Sequence, residues 1–354
     1  MASYTSIIKG MLCPINSAPS TSKAHWEPSQ SMPLLADRIC IITGPTSGIG
    51  YETLRQLILS SAHVYLFGRT RSKLEITRDT ILDECITSLS SSSSNDYPQG
   101  SIRHNAEVGK MDIIQCDLSD LTSIQCAAQE FLDKEQRLDL FFGNAGVMVS
   151  GTTLDGYEMM WGTNVLGHHA LLRLLLPALR TSSKHHDSVE TGKTRVILTA
   201  SDTHRWVDKP EHLELSPDAF NRKLGHIHLY GRSKLGNIFT ANKLAQWSDE
   251  NNLGITVCSV HPGGVKSQLG SSNTLLTRIK NWFLVPAPLG AVTQLWSGTG
   301  AEAHQVHSKY MVPWARVGVE SELANNDKVR DHVWEWCEQQ CVKHGLFKED
   351  QLIT

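Results

Sequence analysis

The sequence predicts an α/β fold, with a single doubly wound parallel sheet and helices on both of its faces. Two observations lead to this prediction. Apolar runs rich in β-branched and aromatic residues recur from Asp37 onward, and segments with helical spacing, such as 121–132 and 164–179, lie between them. Strands buried on both faces are almost continuously apolar, and their alternation with helices is typical of a parallel sheet covered on both sides. The predicted strands are 38–43, 63–68, 112–117, 138–143, 195–200 and 254–260.

Length and composition are those of an ordinary soluble globular protein. The chain has 354 residues, of which 40% are apolar and 19% are charged, and its net charge of −3 gives no reason to expect a nucleic acid or an anionic membrane as partner. The eight cysteines are scattered, which favours reduced thiols in a cytoplasmic protein. No apolar run reaches about 18 residues, so no transmembrane segment is predicted. Residues 1–15 leave a weak membrane anchor or an organelle address open.

One domain is predicted, preceded by a flexible arm. Residues 1–35 are assigned to the arm, because 17–33 are rich in Ser, Pro and Thr, and residues 36–354 are assigned to the domain. Two polar segments, 87–96 and 182–193, are expected to be surface loops. The sequence contains no internal repeat and no linker that would divide the domain further.

The stretch TGPTSGIG, residues 43–50, predicts the turn between the first strand and the helix that follows it. Glycine in such a turn permits positive φ and lets a ligand approach the backbone closely. The first amides of a helix are unpaired and lie at the positive end of its dipole, which favours a diphosphate. A glycine motif alone also fits an ordinary turn, so other motifs have to decide between these interpretations. The candidate binding residues are Gly44, Thr46, Ser47, Gly48, Ile49 and Gly50.

A basic turn after the second predicted strand indicates which dinucleotide would bind. The stretch FGRTRSK contains Arg69, Arg71 and Lys73. A free ribose 2′-hydroxyl requires a carboxylate at this place, whereas a 2′-phosphate requires a cation. A guanidinium offers paired donors to a phosphate and keeps its charge. We therefore predict NADP(H) rather than NAD(H), with a solvated basic turn as the alternative interpretation.

The third and fourth predicted strands end in residues that suit an adenosine. Asp117, followed by Leu118, can accept a hydrogen bond from an adenine amino group. Asn144, Ala145 and Gly146 in GNAG would let the backbone lie against the ribose. Each stretch alone also fits an ordinary strand-terminating turn. Their common position at the carboxyl ends of parallel strands favours a shared ligand crevice.

Tyr230 and Lys234 in YGRSK are the candidate catalytic pair. Positions i and i+4 of a helix share a face, so the phenol and the ammonium can converge. A nearby cation lowers the pKa of a phenol, which would let Tyr230 transfer a proton while a nicotinamide handles the hydride. Ser201 ends the fifth strand and can hydrogen-bond a substrate oxygen, and Asn164 is expected to open a helix and hold a water in a proton relay.

The turn HPGGVKS, residues 261–267, follows the sixth predicted strand. It is expected to direct the backbone beneath a nicotinamide ring. Its position at the same edge of the sheet places it with the other candidate motifs. The candidate cofactor-binding residues in this turn are Pro262, Gly263, Val265 and Ser267.

The C-terminal segment 331–342 has helical spacing and is expected to dock on the core. His332, Cys337, Cys341 and His344 lie in or beside it, but their spacing matches no closed zinc motif. No metal site is therefore predicted.

Taken in order along the chain, these motifs resemble those of the short-chain dehydrogenase/reductase family. The likeness extends over 37–267 and covers the glycine motif, the NAG motif, the Asn-Ser-Tyr-Lys set and the PGGV turn. FGRTRSK and the long spacing from Ser201 to Tyr230 are similar to the branch of retinol dehydrogenases and WW-domain oxidoreductases. The whole chain also resembles reductases of fungal secondary-metabolite clusters. GNAG lacks the more common leading Asn, and Ser267 stands where Thr is usual.

The resemblance implies a Rossmann-type fold and a role for each motif. Tyr230 would be the acid/base, Lys234 would tune its pKa and bind the nicotinamide ribose, and Ser201 would stabilise the substrate oxygen. Asn164 would serve the proton relay. Residues that would contact NADP(H) are Gly44, Thr46, Ser47, Gly48, Ile49, Gly50, Arg69, Lys73, Asp117, Leu118, Asn144, Ala145, Gly146, Tyr230, Lys234, Pro262, Gly263, Val265 and Ser267.

The resemblance further implies a C-terminal substrate lid, residues 264–320. Within it, 269–295 is aromatic and weakly charged, with Trp282, Phe283 and Leu284. Such a lid favours the secondary alcohol or ketone of a hydrophobic molecule of terpenoid, steroid-like, polyketide or retinoid type. Packing of this segment against the domain is the other interpretation.

Two other functions fit the same fold class. A nucleotide-sugar epimerase or dehydratase would also use a Tyr-Lys pair, but its glycines are usually spaced GxxGxxG and here they are spaced GxxxGxG. A regulator that senses NADP without turnover would be expected to lose Ser201 or the Tyr-Lys pair. Pairing of two or four copies through the helices that carry Asn164 and Tyr230 is left open, because apolar faces there serve core burial equally well.

Overall fold

All strands of the described residues belong to one sheet, in the order β3-β2-β1-β4-β5-β6-β7-β8. The computed structural model describes residues 26–91, 107–186, 192–213, 225–265 and 285–353. Neighbouring strands are parallel except β7 and β8, which are antiparallel. The predicted fold class is therefore confirmed. The strands are β1 (Ile39–Thr43), β2 (His63–Gly68), β3 (Lys110–Gln115), β4 (Leu140–Gly143), β5 (Thr194–Thr199), β6 (Ile255–Val260), β7 (Tyr310–Val312) and β8 (Arg316–Val317).

Helices cover both faces of the sheet. The longer helices are α1 (Gly48–Leu59), α2 (Arg71–Ser91), α3 (Leu121–Lys134), α4 (Gly167–His185), α5 (His226–Glu250), α6 (Ala287–Leu295) and α7 (Asp327–Lys343). Shorter α-helical turns span Pro28–Ser31, Met159–Trp161 and Ala303–Val306, and π-helical segments span Gly162–Leu166 and Trp296–Gly300. The 3-10 helices span Asp202–Trp206, Pro210–Leu213, Glu322–Asn325 and Glu349–Gln351.

Alternate side chains of each central strand enter two separate cores. In β1, Ile41 packs in the core shared with α3, α4, α5 and α7, whereas Cys40 and Ile42 pack in the core shared with α1, α2 and α6. This alternation follows from the two-residue period of a strand. Because both cores are apolar, the strand has no polar face, which is why the sequence shows β1 as a continuous apolar run.

The strand order reverses between β1 and β4. From β1 the chain passes through β2 and β3 on one side, and β4 then returns to pair with β1 on the other side, with Cys40 opposite Leu140 and Ile42 opposite Phe142. The crossovers at this point leave in opposite directions, so a crevice opens at the carboxyl ends of the two strands. This crevice contains the candidate site.

Two segments expected to be loops are helical at their starts. The helix α2 continues to Ser91 and α4 continues to His185, while residues 92–106 and 187–191 lie outside the described residues. Ser182 is fully buried, donates to a carboxylate oxygen of Asp139, and lies 3.0 Å from the hydroxyl of Thr194. The polar sequence here serves a buried hydrogen-bond network, which polarity alone does not distinguish from a surface loop.

The segment 26–35 packs on the domain, which differs from the flexible arm expected over this part. Met32 and Leu35 are 2% and 4% exposed and belong to the core that contains α1. The amide of Leu35 donates to the carbonyl of Ser60 at 2.7 Å. The first 25 residues of the expected arm lie outside the described residues.

Much of the expected lid, 264–320, is part of the body of the domain. The helix α6 packs against α1, and a Cβ at Gly290 would lie 3.0 Å from the side chain of Ile49 in α1. The same Cβ would lie 2.6 Å from a methyl group of Val265, which follows β6. The strands β7 and β8 extend the sheet beyond β6. The apolar residues of α6 therefore serve core packing, the alternative considered above. Residues 266–284 of the expected lid lie outside the described residues.

The helix α7 packs against both α4 and α5 within the chain. Its Cys337 and Cys341 are buried in the same core as the apolar faces of those helices. The helices named as a pairing surface therefore bury apolar side chains internally, and the oligomeric state stays a prediction.

Candidate active site

A cavity of about 620 Å³ opens at the carboxyl ends of the parallel strands. This volume is in the range of cofactor and ligand sites. Its walls include nearly all of the candidate residues that lie in the described part of the chain. These are Gly44, Thr46, Ser47, Gly48, Ile49, Gly50, Arg69, Lys73, Asp117, Leu118, Asn144, Ala145, Gly146, Ser201, Tyr230, Lys234, Pro262, Gly263 and Val265. Asn164 does not line the cavity, and Ser267 lies outside the described residues.

The glycine turn gives this cavity a backbone wall. Gly44 and Gly48 have φ values of 66° and 57°, which L side chains rarely adopt. A Cβ at Gly48 would meet no described atom within 4 Å, so this glycine faces open space at the start of α1. A Cβ at Gly50 would lie 2.2 Å from the carbonyl oxygen of Gly44. The turn thus fits a diphosphate at the unpaired amides of α1.

Of the three basic residues after β2, two face the cavity. Arg69 and Lys73 line it, and within the described ranges neither side chain has an ion-pair partner. Arg71 does not line it, and its guanidinium pairs with Glu75 at 3.1 Å. The carbonyl of Arg69 accepts a hydrogen bond from Gln115 at 2.9 Å, which fixes the backbone beneath the side chain. The pair Arg69 and Lys73 is thus free to meet an anion.

Asp117 and Asn144 hold the turns that follow β3 and β4 at the cavity wall. A carboxylate oxygen of Asp117 accepts from the amide of Ser119 at 2.9 Å and from its hydroxyl at 2.7 Å. The side-chain amide of Asn144 donates to the carbonyls of Thr43 and Gly44 at 3.1 and 3.3 Å. Asn144 therefore ties the end of β4 to the glycine turn, a structural contribution that the sequence did not predict. Adenine and ribose contacts of these residues stay predictions.

Tyr230 and Lys234 meet as their helical spacing predicts. The ammonium of Lys234 lies 5.5 Å from the centre of the Tyr230 ring and donates to the carbonyl of Thr199 at 2.8 Å. Lys234 is 2% exposed, and Tyr230 is half-buried in the cavity wall. Burial raises the pKa of Tyr230 to about 12 and lowers the pKa of Lys234 to about 8. In the polypeptide itself the pKa of the phenol is raised, because burial disfavours the phenolate, and the tuning role of Lys234 stays a prediction.

Ser201 and Asn164 occupy different environments. Ser201 lies at the cavity wall, where it caps the 3-10 helix Asp202–Trp206 and its hydroxyl oxygen accepts from the amide of Thr203 at 3.3 Å. Asn164 is fully buried, and its side-chain amide donates to the carbonyl of Val147 at 3.0 Å and to the hydroxyl of Ser233 at 2.9 Å. It does not open a helix but lies in the π-helical segment Gly162–Leu166. Its side chain therefore supports the cavity wall at Val147 without lining the cavity.

The turn after β6 forms a further part of the cavity wall. Gly263 has a φ of 90°, and Val265 forms a parallel bridge with Val285. Pro262 and Gly263 line the cavity beside His261. One cavity thus contains Ser201, Tyr230, this turn and the glycine turn.

Comparison with known proteins identifies the family. No family model matches the sequence. A short-chain dehydrogenase/reductase of Armillaria gallica is 34% identical over 332 residues, which cover 90% of this chain and 94% of that protein. Retinol dehydrogenase 12 of Homo sapiens is 30% identical over 305 residues, which cover 85% of each chain. The chain belongs to the short-chain dehydrogenase/reductase family.

This assignment confirms the resemblance found in the motifs. Among solved structures, an uncharacterised protein from Mycobacterium paratuberculosis has a TM-score of 0.62 at 23% identity, and the alignment covers 89% of this chain and 97% of that chain. The likeness shows a shared fold. This short-chain dehydrogenase/reductase has, among its described residues, no helix with the length and apolarity needed to cross a bilayer. The described residues also contain no cluster of His, Cys, Asp or Glu side chains that could hold a metal.

Three buried histidines near the crevice were not singled out from the sequence. His168 bridges the hydroxyl of Thr43, at 2.9 Å, and the carbonyl of Asn164, at 3.0 Å. His204 contacts the carbonyl of Ser201, and His261 lines the cavity. Burial lowers the pKa of each imidazole to about 4. A histidine three or four residues after a catalytic candidate was the signal that could have found the first two.

Stability of this family member is expected to fall as the pH decreases from 6.5 to 4. In that window the three imidazoles stay neutral in the folded chain and bind protons when it unfolds. Each contributes a slope of about 1.4 kcal/mol per pH unit to the free energy of unfolding. Urea unfolding at several pH values measures the slope, and His168→Gln should make it shallower. An unchanged slope in that variant would show that His168 titrates normally in the fold.

Proposed function

We propose that this short-chain dehydrogenase/reductase uses NADPH to reduce the ketone of a hydrophobic small molecule to a secondary alcohol. One observation carries the proposal: Ser201, Tyr230 and Lys234 converge on the cavity that the glycine turn also lines. A proton donor, a hydrogen-bond donor for the carbonyl oxygen and a backbone anion site in one crevice suit this reaction. The purified protein, NADPH and a panel of apolar ketones form the direct test, and absence of turnover on every ketone would contradict it.

Different residues of the crevice would bind the cofactor, orient the substrate and transfer the proton. The amides at the start of α1 would hold the diphosphate, with Arg69 and Lys73 on the 2′-phosphate. When bound, NADPH supplies the hydride that reduces the carbonyl carbon. Ser201 would orient the carbonyl oxygen with its hydroxyl, and Tyr230 would deliver the proton to that oxygen as charge develops on it. Lys234 would fix the ribose and place positive charge near the reacting oxygen.

The protonation state of Tyr230 suits the proton-donating step of ketone reduction. With its pKa raised to about 12 by burial, the phenol is protonated at neutral pH. Ketone reduction needs a proton donor at this position, whereas alcohol oxidation needs a base. The ammonium of Lys234 then acts by attracting negative charge as it develops on the phenol oxygen.

Apolar side chains at the substrate end support a hydrophobic substrate. Val147, Met148 and Val149 follow β4 and line the cavity together with Met159. Methionine adapts its shape to irregular apolar ligands. Retinol, the alcohol in the name of one relative, is of this apolar kind. A terpenoid, steroid-like, polyketide or retinoid ketone, used in secondary metabolism in the cytoplasm, is the substrate class that we propose.

Cofactor selectivity is expected to depend on Arg69. We expect Arg69→Ala to weaken NADPH binding by about 10- to 100-fold, because a charge-assisted pair with phosphate contributes roughly 1.5–3 kcal/mol, and to leave NADH binding within about 2-fold. Titration of each cofactor by fluorescence or calorimetry measures this. Arg71→Ala is the matched control, since Arg71 pairs with Glu75 outside the cavity. Equal loss for both cofactors would remove Arg69 from the 2′-phosphate site.

The two alternative functions are separated by the same assays. An epimerase or dehydratase acting on a nucleotide sugar would show no net oxidation of NADPH. A non-catalytic NADP sensor would bind the cofactor without turnover on any substrate. The convergence of Ser201, Tyr230 and Lys234 on one cavity supports the reductase over the sensor.

A further inference from the structure

His204 lies directly behind the turn that carries Ser201. Its side chain is fully buried, and Nδ1 lies 2.7 Å from the carbonyl oxygen of Ser201. On the opposite side of the ring, Nε2 lies 3.1 Å from the backbone amide of Ser321. The imidazole therefore connects the turn after β5 to a segment that follows β8.

The two contacts fix the protonation of the ring. An amide N–H is only a donor, so Nε2 has to accept from Ser321 and carries no proton. A carbonyl is only an acceptor, so Nδ1 carries the proton and donates it to Ser201. The ring is thus a neutral imidazole with one defined tautomer. The pKa of His204, lowered to about 4 by burial, agrees with this state.

Other contacts hold the same turn from both sides. On the side of α5, a Cβ at Gly231 would lie 2.5 Å from the carbonyl oxygen of Thr203, so glycine beside Tyr230 allows this close approach. On the other side, Arg205 pairs with Asp202 at 2.7 Å and donates to the carbonyl of Val319. The ring of Tyr310 in β7 meets the His204 ring edge-on at 5.0 Å. The turn is clamped between α5 and the segment after β8.

We propose that His204 is a positioning residue for Ser201. By donating from Nδ1 to the Ser201 carbonyl, it sets the backbone from which the hydroxyl projects into the cavity beside Tyr230. A hydroxyl that moves by about 1 Å from its productive place can cost about 10²-fold in rate. The segment after β8 thus supports catalysis without touching the cofactor or the substrate. The proposal rests on the reductase function above.

A double-mutant cycle in kcat tests the role. His204→Phe keeps the ring volume and removes both hydrogen bonds, and we expect it to lower kcat by about 10- to 100-fold. NADPH binding and the KM for NADPH should stay within about 2-fold, because His204 does not line the cavity. Combining His204→Phe with Ser201→Ala should give a kcat no lower than Ser201→Ala alone, since both act through one hydroxyl. If the double variant instead loses kcat by the product of the two single losses, His204 acts on the general fold rather than through Ser201. That result would overturn the proposal.

Two further variants keep the test decisive if His204→Phe does not fold. One keeps a hydrogen-bond donor at position 204, and the other keeps the imidazole ring. His204→Asn can still donate to the Ser201 carbonyl, and it should restore most of the lost kcat. Ser321→Pro removes the amide donor at a residue whose φ of −70° suits proline, and it also removes the hydroxyl that accepts from the amide of Ala324. Ser321→Ala, which loses only that hydroxyl, is its matched control. We expect a lower kcat for the proline variant than for the alanine variant. Equal values for the two, or no restoration by His204→Asn, would contradict the proposal.

The ring tautomer provides a readout that does not depend on turnover. Nitrogen NMR of ¹⁵N-histidine-labelled protein, assigned with His204→Asn, should show His204 as the neutral Nδ1–H form at neutral pH. A proton on Nε2 would contradict the two hydrogen bonds assigned to His204, whatever the activity of the protein. If His204 has the expected tautomer but the protein reduces no ketone, the result would instead contradict the proposed function.

Discussion

Replacing Tyr230 by phenylalanine is expected to lower kcat for ketone reduction by about 10²- to 10⁴-fold, the usual contribution of a positioned proton donor. The change removes one oxygen atom from a ring in the cavity wall. The contact of the Lys234 ammonium with this ring, at 5.5 Å, does not need the hydroxyl. Cofactor affinity and the thermal midpoint are therefore expected to stay close to those of the unmodified protein.

Steady-state turnover and NADPH titration together decide this prediction. Tyr157→Phe is the matched control, because it removes a phenol oxygen that bonds Gln340 and His344 at 2.9 Å and that does not line the cavity. We expect this control to keep kcat. A Tyr230→Phe variant that still reduces ketones at the original rate would assign the proton to another group. Loss of NADPH binding in that variant would instead mean that Tyr230, a predicted NADP(H) contact, serves mainly the cofactor site.

The features that could be predicted from the sequence depend on local backbone properties. The turn 43–50 needs residues that accept positive φ, and Gly44 and Gly48 supply φ values of 66° and 57°. The pair Tyr230 and Lys234 shares a face because both lie on α5. Carboxyl ends of parallel strands meet at one edge, so motifs that end such strands converge without knowledge of any distant contact.

The features that could not be predicted depend on contacts between distant parts of the chain. The strand β7 has three residues, and it is a strand because Tyr310 and Met311 pair with Ser259 and Val260 of β6. The bond from Ser321 to His204 joins residues 117 positions apart. The sign of the Tyr230 pKa shift depends on burial, and a spacing of four residues reports proximity but not desolvation.

Replacing Lys234 by methionine is expected to abolish most of the activity and to raise the stability of the fold. Burial lowers the pKa of this lysine from 10.5 to about 8, which means that its charge costs roughly 3 kcal/mol in the folded chain at neutral pH. Methionine has a similar volume without the charge. The carbonyl of Thr199 would keep a partner, because Asn237 also donates to it at 2.9 Å. Removing a destabilising functional group commonly stabilises a protein at the expense of its function.

Thermal unfolding and kinetics measure the two effects of this variant separately. We expect a higher midpoint, a kcat lower by about 10²-fold, and weaker NADPH binding, because Lys234 places charge beside the phenol and the ribose. Lys243→Met is the matched control on the same helix, where the lysine pairs with Asp331 at 3.2 Å away from the cavity. That control should lose stability and keep kcat.

The free energy of unfolding of the unmodified protein should also rise between pH 8 and 10.5, because in this window Lys234 has lost its proton in the folded chain but keeps it in the unfolded chain. This rise should be smaller in Lys234→Met. A Lys234→Met variant that is less stable and still active would show that the buried ammonium serves the fold rather than the reaction.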